Sequence, residues 1–469
     1  MKKEKLKVGQ FFCIGFLWLL GGLSAEPLHG PNVNPSNLAV LCEWESFAGR
    51  KADIIGDNLS ADTWQVFLEA PRFKEKRRGN AMVEQLRRWQ DAFDGDRKVK
   101  NEEESFVYEG KPRGRISDYV VELSVPLFPS RMVNEEGQLV PAEQVNDRWA
   151  MGLPSNRHHD EAKAAFQALA KALVDCGLEN ARLRLGWEFL GDWFPWGIDR
   201  NAGERAGSPE QFKDCWKFVY LTMEEVNPKF EWVWCSTVGF DHQDPSLAFP
   251  EFPNERFSSR ADQKDKILVD YVSVDIYDSE GECYYRIDDR ASPDFALVPG
   301  YWNTRDEERK QAFACFHKKV FEGKGNLAKE GESKVYGLRY FKMLADRKKL
   351  PLMISEWGPW ANYVPRTGGR VDEAPLRSYL FGGDDNPDFI EGLFAWVRAN
   401  EVEATVLFEF YNGGQGDTVD HTLLPSYWNS PLEKRPRVSF YPKESEWSRF
   451  TDLLHPRASQ AYSRILKEK

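Results

Sequence analysis

Apolar residues along this chain fall into short, dense runs separated by longer stretches in which they recur at helical spacing. Runs of strand type stand at Leu38–Cys42, Trp64–Leu68, Tyr119–Val125, Ala181–Leu185, Glu231–Cys235, Tyr271–Ile276, Leu352–Ser355 and Thr405–Phe410. Each has the length and composition of a buried strand. Helical patterns lie between many of them: the alanine-rich Asp160–Val174, Ser208–Val226 opening on Ser-Pro-Glu, Val335–Lys348, Pro387–Ala399, and a closing helix near Ala458–Lys467. Ser followed by Pro and Glu is a helix start, because the hydroxyl caps free amides and Pro is tolerated in the first turn. Strand alternating with helix implies a parallel sheet. Eight such strands, with no Gly-x-Gly-x-x-Gly after the first, favour an α/β fold of the (β/α)₈ TIM-barrel type over an open doubly wound sheet. In that architecture chemistry belongs at the C-terminal ends of the strands.

The pattern also bounds the domain. Residues 1–25 read as an export signal: a basic start, an apolar run from Phe11 to Leu20, then small residues before Glu26. The run is shorter than the roughly 20 residues that cross a bilayer, so cleavage, not anchoring, is expected, with a secreted or periplasmic product. Residues 26–37 form a Pro/Asn-rich lead-in, and 38–469 are expected to fold as one domain, since no Ser/Pro/Gly linker follows. The inserts Phe73–Gly114 and Ser279–Gly331 read as elaboration around a barrel rim.

Two strand ends carry chemistry. Arg184 to Gly197 reads R-L-G-W-E-F-L-G-D-W-F-P-W-G and sets Glu188 after an apolar strand among tryptophans; Pro351 to Trp360 reads P-L-M-I-S-E-W-G-P-W and does the same for Glu356. A carboxylic acid beside apolar rings resists ionisation and can donate a proton near neutral pH, while exposed indole faces stack on the C–H faces of pyranose rings. By strand count the two glutamates end strands four and seven. Trp193, Trp196, Trp234, Trp357 and Trp360 are the expected stacking platforms, and with Trp187 and Trp232 they place seven of seventeen tryptophans beside three strand ends. Trp187 and Trp232 are the readiest to be structural.

These residues resemble glycoside hydrolase family 26, which includes endo-β-1,4-mannanases. The family's acid/base segment reads approximately R-x-x-H-E-x-N-G-x-W-F-x-W-G, and Arg184, Glu188, Gly191, Trp193, Phe194, Trp196 and Gly197 fall in register with it. The likeness continues through Glu231–Trp234, Val274–Asp278 and Ile354–Glu356. Two positions depart from it: Trp187 stands where the family has histidine, and Leu190 where it has asparagine. The resemblance implies Glu188 as acid/base and Glu356 as nucleophile of a retaining glycosidase, with no cofactor and no metal, and Tyr277 donating a hydrogen bond to Glu356. Asp275 and Asp278 would bind sugar hydroxyls or pair with a basic residue, Arg184 would support a carboxylate, and Glu409 would line the site or pair with an arginine. Phe410 and Tyr411 would form a floor beneath the sugar.

Composition narrows the partners. The formal charge is −11, and loss of residues 1–25, which hold four Lys and one Glu, would take it to −14, which disfavours nucleic acid. Six cysteines follow the signal with no CxxC pair, so disulfides are accessories whose pairing the sequence leaves open. His158-His159-Asp160 reads as a solvated cap region, and Asp417, Asp420 and His421 as an ordinary polar loop. A monomer acting on a poly- or oligosaccharide is expected, β-mannan first, then β-xylan or β-glucan. The alternatives are a non-catalytic glycan binder on the same scaffold and an inverting glycosidase.

Overall fold

The computed structural model describes residues 26–33, 38–59, 62–64, 86, 89, 93, 115–191, 193–198, 206–239, 243–253, 267–279, 283, 306–363, 380–381, 385–408, 411–412, 418–420, 423 and 456–467. The expected export signal, most of the 73–114 insert, Glu409, Phe410, Asp417 and His421 lie outside them.

Eight parallel strands close into a barrel: β1 (Leu28–Asn32), β2 (Ile54–Asn58), β3 (Val120–Val125), β4 (Arg182–Leu185), β5 (Glu231–Thr237), β6 (Tyr271–Tyr277), β7 (Leu352–Gly358) and β8 (Ala404–Phe408). Each strand pairs with its neighbours in chain order and β8 returns to β1, so this is the expected (β/α)₈ barrel. Around it lie α1 (Leu38–Ala48), α2 (His159–Asp175), α3 (Pro209–Glu224), α4 (Asp306–Phe316), α5 (Leu338–Lys348), α6 (Pro387–Ala399) and α7 (Pro456–Lys467). Ser208 caps α3 in a reciprocal box, its hydroxyl taking the Gln211 amide at 3.1 Å while the Gln211 side chain takes the Ser208 amide at 2.8 Å.

The first two strands are not where the apolar pattern places them. Leu38–Cys42 opens helix α1, whose buried Leu41, Trp44 and Ala48 recur at helical spacing, and a five-residue window is too short to separate that period from a continuous run. The first barrel strand lies instead in the expected lead-in. Its sequence, Leu-His-Gly-Pro-Asn, and that of β2, Ile-Ile-Gly-Asp-Asn, carry residues that strand propensity discounts. Gly30 explains one of them: a Cβ there would fall 1.6 Å from the Ile54 carbonyl oxygen, so only glycine lets β1 approach β2. Of the expected strand Trp64–Leu68, only Trp64 is described.

Inside the barrel, an apolar plug of Ile54, Val233, Tyr271, Met353, Ala404 and Val406 is interleaved with polar layers. Towards the N-terminal end, Arg182 donates to Glu231 at 3.1 Å, Glu403 at 3.2 Å and the Tyr271 hydroxyl at 3.0 Å. In the middle, the Ser355 hydroxyl donates to Glu122 and lies 2.5 Å from that of Ser273. The third layer, around Arg184, is at the C-terminal mouth. Most of the apolar core lies between the sheet and its helices. Segments following β7 and β8 meet in an antiparallel sheet of Leu380–Phe381, Ala361–Tyr363, Thr418–Asp420 and Tyr411–Asn412, which fixes the backbone of Tyr411. A disulfide links Cys283 to Cys315, and the described free cysteines, Cys42, Cys176, Cys215 and Cys235, are buried.

Candidate active site

Strand alternation delivers most of the mouth. On β6, Tyr271 lies in the barrel plug, so Ser273, Asp275 and Tyr277 follow on the same inward face. On β4, Arg182 and Arg184 point inward together. Glu356 breaks the rule: Met353 is in the interior, so regular alternation would turn Ser355 inward and Glu356 outward. The register shows why it does not. Val274 pairs with Ile354 but Asp275 pairs with Glu356, leaving Ser355 as an extra residue in a β-bulge. Ser355 and Glu356 therefore both face inward, and Trp357 is thrown outward.

Arg184 is the hub of the mouth. Its guanidinium is 1% exposed and donates to both Asp275 oxygens at 2.9 Å, to Ser124 Oγ at 2.6 Å and to Asn58 Oδ1 at 3.1 Å, and it also donates to Glu356 Oε1. The Trp187 ring lies 5.6 Å from its charge. The second oxygen of Glu356 accepts from the Tyr277 hydroxyl at 2.6 Å. Burial, then the charge of Glu356, pushes the Tyr277 phenol well above its ordinary value, so it remains a donor.

Glu188 sits three residues beyond the last residue of β4. The chain turns at Gly186 (φ 53°), and Glu188 itself is left-handed at φ 51°. For a residue with a Cβ that conformation costs roughly 1–2 kcal/mol, strain of the kind that gathers at functional sites. Two bonds hold it: its amide donates to the Cys235 carbonyl at 3.2 Å, and its carbonyl accepts from the Gly191 amide at 2.9 Å. The Trp193 indole donates to Glu188 Oε2 at 2.9 Å, and that ring lies so close over Gly191 that a Cβ there would fall 2.3 Å from it.

Oxygens of Glu188, Asp275 and Glu356 all lie within 4.8 Å of one another, and among the described residues the cation bonded to Asp275 and Glu356 is Arg184. One guanidinium against three carboxyl groups leaves negative charge in excess, which favours protonated carboxyls. Burial, then the charge of Glu356, raises Glu188 to about 8, against the Trp193 bond and Arg184, which lower it. Burial raises Asp275 as well, opposed by Arg184 and reinforced by Glu356 and Glu188. The Cys235 thiol, pushed well up by burial and the nearby Asp275 charge, stays protonated and donates to Asp275 at 3.2 Å.

The aromatic expectations divide. Trp193, 53% exposed, and the half-buried Trp360, 5.4 Å from Tyr277, stand at the mouth. Trp234 and Trp357 do not. Trp234 alternates outward with Trp232 to pack on Phe249 and Phe341, and the bulge sends Trp357 outward onto Phe394 and Tyr462; both are 0% exposed, so neither can stack on a sugar. Trp196 is no platform either: it is buried beneath Phe194, stacked at 4.6 Å, and its N–H donates to the Trp187 carbonyl at 2.7 Å. Trp187 and Leu190 are buried. Asp278, fully buried, accepts from Asn386 at 2.8 Å, and Asn386 caps α6, so Asp278 braces a helix. Of Tyr411 only the backbone is described. The residues that pattern reading missed are Asn58, Ser124 and Cys235; their signal was a last or next-to-last inward position on a barrel strand.

No family model and no curated protein matches this chain. Among solved structures it is similar to a modular endo-β-1,4-mannanase from Cellulomonas fimi, at 14% identity over 92% of this chain and 70% of that one, with a TM-score of 0.46. It is also similar to a GH26 β-mannanase from Bacteroides ovatus, at 11% identity over 92% and 89%, TM-score 0.44. A third likeness is to Thermotoga maritima Cel5A in complex with mannotriose, at 11% identity over 81% and 89%, TM-score 0.36. At such values none of them bears on activity, and the chemistry rests on this chain's own side chains.

Proposed function

We propose that the protein is a retaining glycoside hydrolase, exported by its N-terminal signal, that cleaves a β-linked polysaccharide, β-1,4-mannan first. Glu356 attacks the anomeric carbon while Glu188 protonates the departing glycosidic oxygen; Glu188 then takes a proton from the water that releases the glycosyl-enzyme. The observation that carries this reading is the pairing of two unlike carboxyl groups. Glu188 is held protonated to about 8, and Glu356 accepts hydrogen bonds from Tyr277 and Arg184, with oxygens of the two within 4.8 Å. Retaining enzymes separate these groups by about 5–5.5 Å, inverting ones by about 6.5–9.5 Å. The Glu356 charge is itself a cause of the raised Glu188 value, so esterification of Glu356 lowers Glu188 and turns an acid into a base. Trp193 and Trp360 are proposed as sugar platforms. Mannan stands first because of the seven motif positions around Glu188; β-xylan and β-glucan follow.

The test is reducing-end release from a panel of mannan, xylan and β-glucan, with the anomer of the first product read by NMR. Glu188→Ala and Glu356→Ala are each expected to lower turnover by about 10²–10⁴-fold or more with an unchanged circular dichroism spectrum. Activity surviving both changes would overturn the assignment of roles. Wild-type protein that binds but cleaves nothing would establish a glycan binder instead.

A further inference from the structure

We propose that Thr237 is a specificity-determining residue that hydrogen-bonds a hydroxyl of the sugar at the cleavage point; this rests on the glycosidase reading above. On β5, Val233 belongs to the barrel plug and the Cys235 thiol meets Asp275 at 3.2 Å, whereas Trp232 and Trp234 pack outward. Thr237 is the next and last inward position. It pairs in register with Asp275, and two residues before it the Cys235 carbonyl accepts the Glu188 amide. Thr237 is therefore placed between the strand of Asp275 and the turn that carries Glu188.

Its neighbours at the mouth are engaged. Asn58, Ser124, Asp275 and Glu356 accept from Arg184, and Tyr277 donates to Glu356. Thr237 is 8% exposed, and its Oγ1, itself shielded from solvent in this structure, has no hydrogen-bond partner among the described residues. A buried hydroxyl left without a partner destabilises the fold, and valine has the same shape without that cost. A threonine at the rim of a sugar site has a use that valine lacks: its hydroxyl donates and accepts, as sugar hydroxyls do.

The test compares wild type, Thr237→Val and Thr237→Ser by kcat and KM on β-1,4-mannohexaose, or on xylohexaose or cellohexaose if that is the one cleaved, and by thermal midpoint without sugar. Thr237→Val is expected to lose about 10–100-fold in kcat/KM, because a site built to bond a hydroxyl is left incomplete, while its midpoint rises by about 1–3 °C. Thr237→Ser should recover kcat/KM to within about threefold of wild type. If Thr237→Val keeps kcat/KM within twofold, or loses activity and midpoint together, this role is wrong and the glycosidase reading stands. If wild-type protein cleaves none of the three, the glycosidase reading falls and takes this role with it.

Discussion

Glu188 shows how much of the proposed chemistry lies in one residue's surroundings. Its left-handed backbone, the covering Trp193 ring and the neighbouring Glu356 charge act on the same carboxyl group. The Trp193 N–H favours the ionised form, so it restrains a value that burial alone would raise further. Trp193→Phe keeps the ring but removes that donor. The alkaline limb of the kcat/KM profile, expected near the Glu188 value of about 8, should therefore move to higher pH, with KM changed less than in Trp193→Ala. A limb that moves down would show that the indole is not holding the acid. The motif announced Glu188 and Trp193 as neighbours of a sugar; the bond between them depends on a glycine, Gly191, whose missing Cβ leaves room for the ring.

At the scale of elements, β7 does the most. A regular strand would have aimed Trp357 into the barrel and Glu356 at the helices; the extra residue Ser355 exchanges them. Ser355 is tied to Glu122 and Ser273 in the middle layer, so the bulge is anchored from within the barrel. Ser355→Ala removes that anchor and leaves a buried Glu122 oxygen without its donor. It is expected to cost about 1–3 kcal/mol of stability and to lower kcat roughly tenfold with KM little changed, read by denaturant titration and steady-state kinetics. A rise in KM at constant kcat would argue that Ser355 meets substrate and does not set the nucleophile's aim. Helices α2, α3, α5, α6 and α7 were readable from their caps and apolar spacing, α6 beginning and ending at the residues the pattern marks, whereas α1 read as a strand and α4 fell within an insert. Strands β1 and β2 were not, because glycine, proline and aspartate are poor strand formers, and at Gly30 the glycine is there to let β1 approach β2.

Across the whole molecule, the barrel interior is unusually charged, with Arg182 and Arg184 set against Glu122, Asp275 and Glu356. Burial raises Glu122, Asp275 and Glu188 above their unfolded values. The folded chain therefore keeps protons that the unfolded chain has released. What these groups contribute to stability is fully present below about pH 4, near the unfolded carboxylate values, and is lost as pH rises through the folded ones, about 8 for Glu188. The thermal midpoint is expected to be lower at pH 9 than at pH 6, and Glu188→Gln, which cannot ionise, should shrink that difference in scanning calorimetry. A midpoint that climbs from pH 6 to pH 9 would mean that these carboxyl groups are ionised throughout.

The order of side chains along the chain was enough to show that strands and helices alternate and that carboxylates stand at the ends of the fourth and seventh strands. These are matters of local period and strand order, and local period is written in the order of side chains. Which tryptophans face the mouth is settled by packing between strands distant in the chain. Of five expected platforms, it leaves Trp193 and Trp360 there and buries Trp196, Trp234 and Trp357. The physical reason is register: the face on which a side chain emerges depends on hydrogen bonds to neighbouring strands and on a single inserted residue, and neither is visible in a run of apolar letters.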